Sequence, residues 1–165
     1  MKLKRVINHL LVTDRQLRRI FPGSTLSKIE AAIKASEVVH AGEIRFALEG
    51  GLSAAALLNG QSTRDRAIEL FSQLGVWDTE DNSGVLIYLL FADRAVEIVA
   101  DRGINAKLDV QAWSKVCRQM EDAFSQGNFE AGVLSGVQAV TQHLLLHFPS
   151  ERCNANELPD KPVLL

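Results

Sequence analysis

The sequence predicts an α/β fold: a three-layer α/β/α sandwich around a small mixed sheet, with extra N-terminal helices. Three observations carry this. Val85-Leu86-Ile87-Tyr88-Leu89-Leu90-Phe91 is an apolar run without alternation, the pattern of a strand buried on both faces. Glu43 to Leu48 reads as an earlier strand joined to it through a helical stretch, and such a crossover is parallel and right-handed. Amphipathic stretches lie before and after this unit and can cover both faces of a sheet.

In chain order, residues 2–21 read as helical with a break at Thr13, whose side-chain oxygen can cap a second segment. Val6, Leu10, Leu17 and Phe21 form a stripe expected to dock on the body, and the other face is basic; the competing reading is a membrane-surface or partner helix. Pro22-Gly23 ends this unit. Ser24 or Thr25 opens a helix to about Glu37 with Leu26, Ile29, Ala32 and Ile33 on one side, and Ser27 with Glu30 has capping-box spacing. In the strand that follows, Ile44, Phe46 and Leu48 face one way and Arg45 the other. After Gly50-Gly51, Ser62 or Thr63 starts a helix bearing Ala67, Phe71 and Leu74. Beyond the apolar run, Ala92-Asp93-Arg94 makes a tight turn into a return strand, Ala95 to Ala100. Asp109 caps a helix with Trp113, Cys117, Met120 and Phe124 on one stripe. Gly127-Asn128 separates it from a last helix carrying Phe129, Val133, Val137, Val140 and Leu144, which stops at Phe148-Pro149. The expected organisation is a helical extension over 1–23, a domain over 24–148 and an extended tail over 149–165, with Pro162-Val163-Leu164-Leu165 able to dock on the body.

A chain of 165 residues with 47% hydrophobic and 23% charged residues can close a core without staples. Its net charge of -2 excludes the strongly basic footprint of a nucleic-acid binder. Cys117 and Cys153 are too few for a disulfide framework; the first reads as a small buried hydrophobe and the second as a thiol in a polar tail. Asn8, His9 and Asp14 interrupt the apolar stretch after the basic start, so no export signal is expected, and no apolar run is long enough to span a membrane. A reduced, cytoplasmic setting fits both cysteines.

No phosphate-binding glycine loop, dinucleotide fingerprint, nucleophile elbow or zinc knuckle occurs. His143 and His147 stand four apart on the last helix, as two metal ligands would. The partner Glu of a metalloprotease is missing, and two histidines at a helix C-terminus suit the dipole. The strongest polar feature is the loop Asp78-Thr79-Glu80-Asp81-Asn82-Ser83-Gly84. Its alternating oxygens open like a calcium loop, but Ser83 and Leu89 stand where an EF-hand needs Gly and Glu. With the turn centred on Asp93, Val85 sits opposite Asp101, which brings Asp101 and Arg102 beside this loop. Asp78, Glu80, Asp81, Asn82 and Asp101 then form an oxygen-rich cluster suited to weak Ca2+ or Mg2+ binding, with Trp77, Asp101 and Arg102 lining a cleft. Arg102 can instead neutralise the carboxylates or grip a phosphate oxygen. A rival cleft lies at the carboxyl ends of the parallel strands, where Glu49, Asp93 and Arg94 gather.

Arg66-Ala67-Ile68-Glu69-Leu70-Phe71, Gly75-Val76-Trp77-Asp78, Asn82-Ser83-Gly84-Val85-Leu86-Ile87, Arg94 through Gly103 and Gly127 through Gly132 resemble, in order, the TPM domain family. The resemblance covers roughly residues 24–148 and is closest to short bacterial members without export signal or membrane anchor. It implies an α/β/α sandwich. It also implies that some relatives act as acid phosphatases, that some bind divalent cations, and that a LemA-type membrane protein is a candidate partner. The chain departs from the usual pattern at Gly75-Val76-Trp77, where Gly-Ile-Gly is common, and at Asp101-Arg102-Gly103-Ile104, where Gly-Tyr-Gly-Leu is common.

Two functions follow as expectations. One is a binding or accessory module with a polar, cation-accepting cleft. The other is a divalent-cation-dependent phosphatase in which Asp101 or Asp81 holds the metal and Arg102 stabilises developing charge. No residue stands out as a nucleophile or as a base with a partner, which favours the first.

Overall fold

A mixed sheet organises the chain. The computed structural model describes residues 2–150 and 155–165, with side chains described from Lys4 onward. Strands β1 (Glu43–Glu49), β2 (Gly84–Leu90), β3 (Ala95–Ala100) and β4 (Val163–Leu164) lie in the order β3-β2-β1-β4. β1 pairs in parallel with β2 and β4, and β2 pairs antiparallel with β3. The helices are α1 (Lys2–Leu11), α2 (Asp14–Ile20), α3 (Gly23–Ser36), α4 (Ala54–Leu58), α5 (Thr63–Gln73), α6 (Arg102–Asn105), α7 (Val110–Ser125) and α8 (Phe129–His147).

The two-residue period of a strand divides the core. Ile44, Phe46, Leu48, Val85, Ile87 and Leu89 face a cluster supplied by α3, α7 and α8. Ala47, Leu86, Tyr88 and Leu90 face the other cluster, supplied by α4 and α5. All seven residues of β2 are buried, as expected of a strand flanked and covered on both sides. The crossover through α5 begins at a capping box in which Ser62 and Asp65 exchange hydrogen bonds. The C-terminal tail supplies β4, so the docking expected of Val163 and Leu164 is strand addition on the β1 edge.

Several expectations are corrected in detail. Thr13 does cap α2, accepting from the Gln16 N–H, and Leu17 and Phe21 are buried. Leu10, however, is 62% exposed, and His9 takes the inward position on α1. The Ser27–Glu30 box is unused because α3 already starts at Gly23 after Pro22. On α5 the buried positions are Ala67 and Leu70, with Phe71 and Leu74 only partly covered. The hairpin turn is a single 3₁₀ turn over Phe91–Asp93 with Arg94 left-handed at φ 52°, so Val85 pairs with Ala100 rather than Asp101. Helices α4 and α6 are additional to the expected set. Cys117 is half-buried, while Cys153 lies outside the described residues.

Candidate functional site

The amino ends of β1 and β2 carry the polar loop. Its exit into β2 is held by Gly84, where a Cβ would strike the carbonyl of Val76. Asp101 caps α6, its Oδ1 accepting from the Arg102 N–H at 2.6 Å. The Gly103 N–H donates to Asn82 O at 3.1 Å, and a side chain at Gly103 would meet the carbonyls of Asp81 and Asn82. The loop and the start of α6 are therefore stitched through backbone, although the register is one residue from the expected one; Asp101 N–H reaches Gly84 O.

The side chains meet only in part. Arg102 Nε donates to Asn82 Oδ1 at 2.8 Å, and Asn82 is left-handed at φ 50°. Asp101 Oδ2 is buried and receives no hydrogen bond. Asp78, Glu80 and Asp81 are exposed, and Trp77 is 54% exposed with its indole N–H donating to Ser72 O. Ser83, the loop's only serine, is buried; its N–H donates to Thr79 Oγ1 and its hydroxyl to Ala41 O. Among the described residues, no three His, Cys, Asp or Glu side chains converge as a ready metal site.

The tail adds a second acidic layer at this end, which the sequence did not disclose. Glu80 N–H donates to Glu157 Oε2 and Leu158 N–H to Glu43 Oε2. Arg45 directs Nη1 to the carbonyls of Pro159 and Lys161, and its Nε is buried without an acceptor; burial lowers its pKa, and the nearby Asp160 and Glu37 oppose this. Glu37 Oε1 accepts from Ile44 N–H at 2.8 Å, while its Oε2 is buried without a donor. Burial pushes the Glu37 carboxyl up to about 9; the Ile44 bond opposes this, and Glu43 and Asp160 add to it. Burial raises Glu43 as well, with Glu157 and Asp160 nearby. Protonating Glu37 supplies the missing donor toward Asp160.

The carboxyl end of the sheet is built differently. Glu49 accepts two bonds from Arg66, at 2.9 and 3.0 Å, and one from the Tyr88 hydroxyl at 2.6 Å. Asp93 accepts from Arg5 at 2.8 Å and meets His9 Nε2 at 2.9 Å, while His9 Nδ1 accepts from Leu52 N–H. Burial acts to raise Asp93, but the bonds from Arg5 and His9 outweigh it and leave its pKa below the usual value. The rival cleft thus holds carboxylates already paired. On α8, His143 packs edge-on against Trp113, and burial lowers its pKa.

The residues over 13–143, from the cap of α2 to the end of the α8 core, match the TPM domain. The chain belongs to the TPM domain family. The fold agrees: the chain is similar to the BA42 protein from the psychrophilic bacterium Bizionia argentinensis, solved by NMR, with 29% identity and a TM-score of 0.76 over 86% of this chain and 93% of that one. It also shares its fold with the N-terminal domain of a protein from P. gingivalis, with 22% identity and a TM-score of 0.64 over 79% and 82% of the two chains. No curated protein matches the sequence. Within this TPM domain no described helix is long and apolar enough to cross a membrane.

Proposed function

We propose that this TPM domain is a binding or accessory module whose working surface is the polar cleft at the amino end of the sheet. The observation that carries the reading is Asp101 Oδ2, a buried carboxylate oxygen without a donor, next to Arg102, whose side chain pairs with Asn82 of the polar loop. A polar atom buried without a partner is costly, and a divalent cation or a partner's donor relieves that cost.

The affinity for Ca2+ or Mg2+ alone is weak, with a dissociation constant of about 10⁻⁴ to 10⁻³ M, because the loop's exposed acids are not gathered in advance. Exposed carboxylate oxygens of irregular geometry favour Ca2+ in vitro; in a cytoplasmic setting, where free calcium is scarce, Mg2+ or no metal is the working state. The partner is a protein, and the family resemblance points to the LemA-type membrane proteins.

Hydrolysis is the weaker reading because the cleft's serine, Ser83, spends its hydroxyl on a backbone carbonyl. Calcium titration followed by NMR is expected to move the amides of 78–84 and 101–103 together. A panel of phosphomonoesters with and without Mg2+ or Ca2+ is expected to show no turnover that Asp101→Ala removes. Turnover lost in that variant would favour the phosphatase instead, and the absence of amide shifts at millimolar calcium would remove the cation.

A further inference from the structure

At the opposite end of the sheet, one helix presents two unlike faces. On α1, Arg5, Val6 and His9 turn inward, to Asp93, Gln61, Leu52 and the α5-side core. The helical period puts Lys4, Ile7 and Leu11 on the reverse side, with Leu10 beside them. Ile7, Leu10 and Leu11 are 47%, 62% and 68% exposed, a contiguous apolar strip in a protein that buries its other N-terminal anchors, Leu17 and Phe21, almost fully. An apolar strip of this kind marks a surface that meets something.

Charge says what it meets. Residues 1–21 hold six Lys or Arg and one acid, Asp14, a formal +5 within a chain of -2, so the rest of the chain carries -7. Arg5 is the cation of this segment spent on an ion pair among the described residues. Lys4, Arg15, Arg18 and Arg19 are exposed and form none. Arg15 and Arg19 stand one turn apart on α2, opposite the buried Leu17. Leu11 and Gln16 line one open pocket of about 480 Å³ with Arg94 of the hairpin turn, so α1, α2 and a further exposed cation surround the same hollow.

We propose that the outer face of α1 and α2 docks this protein, reversibly, on an anionic lipid surface. Apolar side chains flanked by unpaired cations are the composition of an interfacial helix: the leucines enter the acyl boundary and the arginines meet headgroup phosphates. The helix does not have to leave the body to do so, because its polar ties to Asp93 use the other face. The strongly acidic remainder is repelled from the same surface, which orients the molecule with its carboxyl end toward lipid and the acidic cleft away from it. A three-residue apolar strip gives weak binding, so attraction between cations and lipid supplies much of the affinity and salt must reverse it.

The test is co-sedimentation of the full chain with vesicles of phosphatidylcholine alone and of phosphatidylcholine mixed with phosphatidylglycerol. Partitioning is expected to be about tenfold or more stronger on the anionic vesicles and to fall steeply with salt. Leu10→Ser with Leu11→Ser is expected to abolish it, and Arg15→Gln with Arg19→Gln to weaken it about tenfold or more. Both pairs are exposed, so thermal melts should match the parent. Leu146→Ser, which removes an exposed leucine near the C-terminal end of α8, should bind like the parent. Equal partitioning on neutral vesicles, no binding to either, or unchanged binding of the leucine pair would overturn the proposal.

Discussion

At the carboxyl ends of β1 and β2, Glu49 and Asp93 each meet two partner side chains, including an arginine; at the amino ends, Glu37 and Glu43 sit among Glu157 and Asp160 while the nearby Arg45 gives its hydrogen bonds to tail carbonyls and none to these carboxylates. The same residue type therefore has opposite consequences at the two ends of one sheet. A buried carboxylate with cationic and hydroxyl donors behaves as structure, and removing it strands its partners. A carboxylate buried without them holds its proton or waits for a ligand. Partnering, more than burial or acidity, separates the structural end from the end with binding capacity.

The largest expected effect breaks the paired end. Glu49→Ala leaves the Tyr88 hydroxyl without its acceptor and the Arg66 guanidinium with Glu69 alone, and should lower stability by about 3 kcal/mol in urea unfolding. A loss under about 1 kcal/mol would mean that the pairing is not what holds Glu49 in place. Asp93→Ala should cost about 2 kcal/mol, because Asp93 is less buried than Glu49 but ties both Arg5 and His9 of α1. Its folded pKa lies below the ordinary value, so its contribution is fully present above about pH 4 and is lost as pH falls through the folded pKa. The parent's stability should therefore drop faster than that of Asp93→Ala on acidification below about pH 4.

The unpaired end should respond with the opposite sign. The Glu37 carboxyl titrates near 9 when folded and near 4.5 when unfolded, so the folded protein retains a proton that the unfolded chain has released. Stability then falls as pH rises between those values. Glu37→Gln keeps the Ile44 bond and a donor toward Asp160, removes this slope, and should stabilise the protein at pH 8. Glu37 is only partly buried, so solvent screening brings the gain down to about 1–2 kcal/mol. Destabilisation at pH 8 would contradict the account. The smallest effect is at Asp101: Asp101→Asn keeps the cap on α6 and should change stability by less than about 0.5 kcal/mol, while Asp101→Ala costs about 1 kcal/mol. Both should weaken any calcium-induced shift of residues 78–84.

The sheet was legible in the sequence because its signals are local. The unbroken run from Val85 to Phe91, the alternation of Ile44, Phe46 and Leu48, and the Ser62 and Asp109 caps each act within a few residues. The outward turn of Leu10 was not legible, since α1 is oriented by His9 and Arg5 reaching Asp93 across more than 80 residues. The hairpin register missed by one for a local reason: the turn is 3₁₀ with a left-handed Arg94, which shifts the pairing toward Ala100. At the candidate cleft, the meeting of Asn82 with Arg102 was readable from the hairpin, but Asp101 as the cap of a four-residue helix was not. The second acidic layer was invisible, because Glu43 and Arg45 meet Leu158 and Pro159 only through a tail more than 110 residues away.

The difference between the two ends is tested most directly by one NMR titration that follows the side-chain carboxyl carbons of Glu37, Glu43 and Asp93 in the same sample. Glu37 and Glu43 should titrate above the ordinary 4.5, Glu37 by far the more, and Asp93 below the ordinary 3.8. Glu37 titrating at or below 4.5, or Asp93 titrating above 3.8, would contradict the account, since the paired and unpaired ends would then not differ in the way that their hydrogen bonds require.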